Sequence, residues 1–254
     1  MLNFKVEGKG NPVVLIHGYL ENMQMWEDYA KQLSKDFQVI RMDLPGHGDS
    51  AVLNEIHSME LVAREIKEVL DFLKITKTLV VGHSMGGYVS LALTELFPEK
   101  VKALVLMNSS SLADSEEKKE LRLRAIEMAD KNQETLVKMS IPLLFNEHKL
   151  EELKTEREFA KKMALETSLK GVKSALRGMR IRPDRTFILH DFSGEIKIIL
   201  GKYDRTVPAE NFKKEIPNRE NISVLELECG HMAYLEEPEK TLESLKQFAI
   251  KVFS

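Results

Sequence analysis

Gly82-His83-Ser84-Met85-Gly86-Gly87 lies between a β-branched apolar run, Thr78–Val81, and an apolar run of helical length that begins at Tyr88. A strand that must turn at once into a helix leaves Ser84 at the apex in a strained backbone conformation. Glycines two before and two after it remove the side chains that would collide there. The turn lifts the Ser84 hydroxyl out of the carboxyl edge of a sheet. The positive end of the next helix and the amide of Met85 are aimed at the same place. A phosphate loop is the competing use of a glycine-rich strand–helix turn. The order here is not G-x-G-x-x-G, however, and no Gly-Lys-Ser/Thr follows, so no nucleotide cofactor is implied.

The rest of the chain supplies the sheet and helices that such a turn requires. Short apolar runs at Val13–Ile16, Phe37–Met42, Leu79–Val81, Ala103–Met107, Ile196–Leu200 and Ile222–Leu227 read as strands covered on both faces, as in a parallel sheet. Between them, Trp26, Tyr29, Ala30 and Leu33, and again Leu61, Ile66, Val69, Leu70 and Leu73, follow helical spacing. Strand–helix alternation predicts an α/β fold. It stops after Asn108 and resumes near Ile196. Asp114 followed by Glu117 has the form of a reciprocal helix cap, Pro142 ends a second stretch, and Gly171 marks a break in a third. Ser111–Arg185 is therefore expected to be a helical insertion over one end of the sheet, with residues 1–110 and 186–254 forming the core.

Composition narrows the partners. At 254 residues, 43% hydrophobic and 30% charged, the chain is an ordinary globular protein of one domain with an excursion. A net charge of −3 without a basic cluster argues against nucleic acid and against a membrane surface. The single cysteine, Cys229, allows no internal disulfide and no thiolate metal cluster, which fits a reducing compartment. The amino-terminal stretch lacks the apolar core of a signal peptide, and no run is long enough to span a bilayer, so a cytoplasmic location is expected. Oligomeric state has no signature in the sequence.

A serine hydroxyl needs a base to become a nucleophile, and that base needs an orienting carboxylate. Asp204 follows the strand Ile196–Leu200 in "GKYDRTVP", and His231 follows Ile222–Leu227 in "ECGHMAYLEEP". The order Ser, Asp, His is the one that accompanies a nucleophile elbow. Each has a plainer reading: Asp204 as a turn former, His231 as a satisfied core histidine. The strand after the elbow ends at Asn108 rather than an acid, which favours Asp204. His83 packs or hydrogen-bonds rather than acting as base, and Cys229, with no glycine elbow, reads as a packed small residue.

His17-Gly18-Tyr19 follows the first apolar strand. The amide of Tyr19 is nominated, with that of Met85, as an oxyanion donor, Gly18 permitting close approach and His17 fixing the loop. Asp43, His47, His17 and His83 lack close metal-ligand spacing, so no metal is expected. Met107, Met128, Met139, Met163 and Met232 are candidates for an adaptable apolar pocket lining, with core filling as the plainer role. Arg177, Arg180, Arg182 and Arg185 cluster where the insertion rejoins the core. One of them is a candidate for binding a substrate carboxylate, against a solvated basic surface as the simpler role.

"HGY", "DLPGHGDS", "GHSMGG", "GKYDRTVP" and "CGHMAYLEEP" together make the chain resemble a serine-nucleophile member of the α/β-hydrolase fold superfamily. The resemblance implies an eight-stranded, mostly parallel sheet with one antiparallel strand, helices on both faces and a helical cap after the sixth strand. It also implies Ser84 as nucleophile, His231 as base, Asp204 as acid, and the amides of Tyr19 and Met85 as the oxyanion hole. Serine at the elbow departs from haloalkane dehalogenases and epoxide hydrolases, which carry aspartate there. The activity implied is hydrolysis of a small or medium hydrophobic carboxylic ester through an acyl-enzyme, without cofactor. The same triad serves carbon–carbon bond hydrolases and a menaquinone-pathway synthase, and a ligand receptor on an idle hydrolase scaffold is a third use.

Overall fold

Six of the seven strands are the expected apolar runs. The computed structural model describes residues Met1–Ser254, with β1 Phe4–Glu7, β2 Pro12–Ile16, β3 Gln38–Met42, β4 Thr78–His83, β5 Val101–Met107, β6 Glu195–Gly201 and β7 Ile222–Leu227. They form one sheet in the order β1-β3-β2-β4-β5-β6-β7. Every pairing is parallel except that of β1 with β3. Every residue of β4 is buried, so both faces of the sheet are covered at its centre, as a continuous apolar run requires. β1 has no apolar run to mark it, because it is a four-residue edge strand whose middle two residues are exposed. The sheet has seven strands rather than the eight the resemblance implies. One antiparallel edge strand leads through residues 8–11 straight into β2, so the helical insertion follows the fifth strand, β5.

The helices are α1 Glu27–Leu33, α2 Met59–Phe72, α3 Met85–Leu96, α4 Glu116–Ser140, α5 Lys154–Glu166, α6 Leu169–Arg180, α7 Thr186–Asp191, α8 Ala209–Lys213, α9 Ala233–Glu236 and α10 Pro238–Phe253. No helix is long and apolar enough to cross a membrane. Trp26, fully buried, closes a short 3-10 turn (Met23–Trp26) just ahead of α1.

The segment between β5 and β6 is helical, and two of its expected signals act differently. The cap of α4 is Ser115, whose side chain accepts from the Lys118 N–H at 3.2 Å. Asp114 turns inward instead, onto Arg122 and Arg182. Gly171 lies inside the first turn of α6 rather than breaking the segment; that helix starts at the Ser168 cap. A Cβ at 171 would strike the backbone of Gly46, so the glycine is there for close approach of helix to core. Beside it, the His57 N–H donates to the Ser174 carbonyl at 3.0 Å, and the Ser174 hydroxyl donates to the Asn54 carbonyl at 2.9 Å. α4 itself is interrupted at Asn132 (φ −165°, ψ 102°), whose side chain recaps the chain by accepting from the Thr135 N–H. Met163, Ala164 and Val172 belong to the same hydrophobic cluster as the sheet.

The strand order places the site. From β2 the chain moves outward to β3, then returns past β2 to lay down β4 on its other side. Connections therefore diverge between β2 and β4, and the crevice beyond their carboxyl ends is open. Ile16 pairs with Gly82 in register, so residues 17–19 and Ser84 emerge side by side.

Candidate active site

Ser84 leaves β4 with φ +50° and ψ −116°, a region a residue with a side chain adopts only when its surroundings enforce it. Its N–H donates to the Met107 carbonyl at 2.9 Å, and its carbonyl accepts from the Gly87 N–H at 2.9 Å and the Ser109 hydroxyl at 2.7 Å. The flanking glycines are explained by contact. A Cβ at Gly82 would strike the Gly86 carbonyl, and one at Gly86 would strike the backbone of Ile16 and His17.

The three side chains separated in sequence converge. The Ser84 hydroxyl donates to His231 Nε2 at 2.8 Å, and His231 Nδ1–H donates to Asp204 Oδ2 at 2.7 Å. Asp204 Oδ1 accepts from the Thr206 and Val207 N–H groups, each at 2.8 Å, so the carboxylate is held from both oxygens. Burial pushes the Asp204 pKa up, but the adjacent His231 ring and these hydrogen bonds outweigh it and hold the group below its ordinary value. The acid therefore stays ionised and fixes the ring with Nε2 facing the serine.

Several supporting residues had no signal in the sequence. Asn108, noted there only as the absence of an acid, has φ +46° and donates from Nδ2 to Asp204 Oδ2 at 3.2 Å and to the Gly230 carbonyl at 3.0 Å. Glu236 gathers the histidine loop, accepting from the N–H groups of Gly230 (3.0 Å), Met232 (3.1 Å) and Asn146 (2.9 Å). Glu21 lies behind the elbow with Oε2 2.8 Å from His83 Nδ1, while His83 Nε2 lies 2.9 Å from the His231 carbonyl oxygen. Facing two acceptors, His83 must donate from both nitrogens. Burial lowers its pKa, but Glu21 more than compensates and raises it; burial raises that of Glu21, and His83 reverses the shift. The result is a buried imidazolium–carboxylate pair.

The loop after β2 meets the elbow through Gly18, where a Cβ would come within 2.6 Å of Glu21 Oε2 and 3.1 Å of Ser84 Cβ. The Gly18 N–H donates to Glu21 Oε2, and His17 accepts from the Leu44 N–H at Nε2 (2.9 Å) while Nδ1–H donates to the Gly18 carbonyl (2.7 Å). Those bonds define a neutral His17, consistent with burial lowering its pKa. Burial also pushes His47, 5.2 Å from it ring to ring, down to about 3. Met85 opens α3, buried beside Ser84.

A cavity of about 240 Å³ opens over Ser84 and His231, lined among others by Tyr19, Tyr88, Arg122, Met179, Thr206 and Met232. Of the five methionines proposed for the pocket, only Met232 lines it. Met107 is fully buried in β5, and Met163 is packed in the core with its sulfur accepting from the Asn22 N–H. Met128 is half-buried against the core, and Met139 is 57% exposed on the outside of α4. Cys229 is buried, and that burial raises its thiol pKa, so it stays protonated. None of the four clustered arginines lines the cavity. Arg185 pairs with Glu60 and Glu95, Arg177 donates to the Glu55 carbonyl, and Arg182 packs behind Tyr88.

Comparison with known proteins identifies the family and the fold. The sequence model of the alpha/beta hydrolase fold family matches residues 11–238. A dihydrolipoyllysine-residue acetyltransferase component of an acetoin cleaving system from Pseudomonas putida is 30% identical over 98% of this chain and 66% of its own length. A 2-hydroxy-6-oxo-6-(2'-aminophenyl)hexa-2,4-dienoic acid hydrolase from Metapseudomonas resinovorans is 28% identical over 91% of this chain and 81% of its own length. The chain spans less than two thirds of the first curated relatives it matches, 66% of the Pseudomonas putida protein and 32% of an uncharacterised protein of Mycobacterium bovis. A solved thermophilic esterase from Thermogutta terrifontis superposes with a TM-score of 0.94 at 28% identity, covering 100% of this chain and 94% of that one.

Proposed function

This chain belongs to the alpha/beta hydrolase fold family, and from that premise we propose that it is a serine hydrolase acting on a small or medium carboxylic ester through an acyl-enzyme. One observation carries the reading: the unbroken line from Ser84 Oγ to His231 Nε2 and from His231 Nδ1 to Asp204.

In the proposed cycle His231 takes the Ser84 proton as Oγ bonds to the ester carbonyl carbon. Asp204 stabilises the imidazolium that forms, and the amides of Tyr19 and Met85 receive the oxyanion. The carbon–oxygen bond to the leaving group then breaks as His231 protonates the departing alcohol. Water, deprotonated by the same ring, attacks the acyl carbon and releases the acid and the free serine. The segment 111–185 is proposed as the cap over this chemistry, and no cofactor takes part.

The test is a series of p-nitrophenyl esters of graded chain length with fluorophosphonate labelling, using Ser84→Ala as control. Turnover and labelling that both vanish in the variant support the reading; equal turnover by both proteins sinks it. The Metapseudomonas relative favours a second reading, carbon–carbon bond cleavage by the same three residues. Activity confined to dienolic diketones, with none on esters, would select it. A native protein whose Ser84 resists the fluorophosphonate would point to a binding scaffold.

A further inference from the structure

Asp114, Arg122 and Arg182 form a buried cluster at the cavity whose charges do not cancel. The Asp114 side chain is fully buried, Arg182 is 4% exposed and Arg122 is 15% exposed. Asp114 accepts from Arg182 Nη1 at 2.7 Å, and from Arg122 through Nε and, at 3.2 Å, Nη2. One carboxylate thus serves two guanidinium groups. Arg182 is further held by the Met179 carbonyl at 3.0 Å and by the Tyr88 ring, 3.9 Å from its guanidinium carbon. The cluster therefore carries a net positive charge, and Arg122 is the member of it that lines the cavity with Ser84.

No other acid at the cavity offsets it. Glu21, the remaining carboxylate there, is paired with His83. Two guanidinium groups withdrawn from water against one carboxylate leave a positive charge unbalanced, an arrangement that a bound anion would relieve. Donors are also in surplus. Arg122 Nη1 makes no hydrogen bond, and the Tyr19 hydroxyl, in the same cavity wall, is buried without a partner. Burial and protonation keep the Tyr19 phenol a donor. The cavity therefore presents unused N–H and O–H groups and a net positive charge to whatever occupies it.

We propose that Arg122, with the Tyr19 hydroxyl, forms a subsite for a carboxylate carried by the substrate, so that the ester cleaved at Ser84 is half of a dicarboxylic structure or the ester of a hydroxy acid. The proposal rests on the serine-hydrolase reading and adds the charge of its substrate. A guanidinium with one face committed to Asp114 and the other free is pre-oriented to grip a carboxylate, and a cavity of about 240 Å³ limits the substrate to a small one. Of the arginines carried by the helical segment, the one that matters lies in α4 rather than in the cluster where that segment rejoins the core.

Two matched pairs of esters test it, one with the carboxylate on the acyl part (p-nitrophenyl hydrogen glutarate against p-nitrophenyl valerate) and one with it on the alcohol part (4-acetoxybenzoate against 4-acetoxybenzamide). In the native protein, kcat/KM should favour the charged member of at least one pair by tenfold or more. That ratio should fall at least tenfold in Arg122→Met, be partly kept in Arg122→Lys, and remain native in Arg124→Met, an exposed arginine on the same helix. Calorimetric titration of glutarate and of neutral glutaramide into the Ser84→Ala protein, with and without Arg122→Met, reads the subsite without turnover. Glutarate should bind the parent at least tenfold tighter than the Arg122→Met form. Esters hydrolysed with no charge preference and no Arg122-dependent glutarate binding overturn the subsite and leave the hydrolase standing. Arg122-dependent glutarate binding with no ester turned over by the native protein overturns the ester reading and leaves the subsite standing.

Discussion

His83 Nε2 donates across 2.9 Å to the backbone carbonyl of His231, so the residue preceding the serine in sequence holds the main chain of the residue that would deprotonate it. His83 is in turn charged through Glu21, whose Oε2 also takes the Gly18 N–H. One buried ion pair thereby links three pieces of the site: the elbow, the histidine loop and the loop after β2.

Replacing Glu21 with Gln is expected to destabilise the fold by about 3–5 kcal/mol, because it strands a buried imidazolium. Urea unfolding at pH 7 measures this. The double variant Glu21→Gln/His83→Gln, which removes both charges, should recover part of the loss. Equal stability of the native protein and Glu21→Gln would show that the pair is not ionised.

The same pair sets a pH dependence. His83 is raised above its ordinary 6.5, so its share of stability is complete below 6.5 and fades as pH rises through the raised value. Glu21 is held below its ordinary 4.5, so its share is complete above 4.5 and fades as pH falls through the lowered value. Their joint contribution is therefore greatest between 4.5 and 6.5. Unfolding free energies from pH 3 to 9 should show less curvature in the double variant than in the native protein.

Gly18→Ala should leave the protein folded yet cut kcat on p-nitrophenyl esters about 10²–10³-fold, or about 3 kcal/mol, because the new methyl group meets Glu21 and Ser84 and displaces the loop bearing Tyr19, the proposed oxyanion donor. Circular dichroism checks the fold and steady-state kinetics the loss. A variant with native kcat would remove Tyr19 from the oxyanion hole.

Asn108→Ala should lower kcat about tenfold with little change in KM, since it takes one hydrogen bond from Asp204 and leaves the cavity lining untouched. A rise in KM at unchanged kcat would show that Asn108 acts on substrate binding instead.

The strands and the three converging side chains were legible because each has a local signature: continuous apolar runs for buried parallel strands, glycines spaced around Ser84, and turns after strand ends for Asp204 and His231. The remainder depends on contacts between distant segments. Nothing near Glu21 announces that His83 lies beside it, and Asn108 reads in sequence as a missing acid, whereas in the fold its amide holds Asp204. Asp114 resembled a helix cap because sequence shows its neighbour Glu117 but not the two arginines that draw it inward. The places of the methionines are hidden for a related reason. Their composition says flexible filler, while the direction in which each helix or strand turns them decides between core, cavity and solvent.

The near-touching backbones at Gly46 and Gly171 make the contact between the loop after β3 and α6 a spacer of fixed thickness. A single methyl group at 171 would act as a wedge, tilting α6 and with it Met179. Met179 lines the cavity over Ser84, so a change at this contact would reach the cavity wall from a point remote from the reacting atoms.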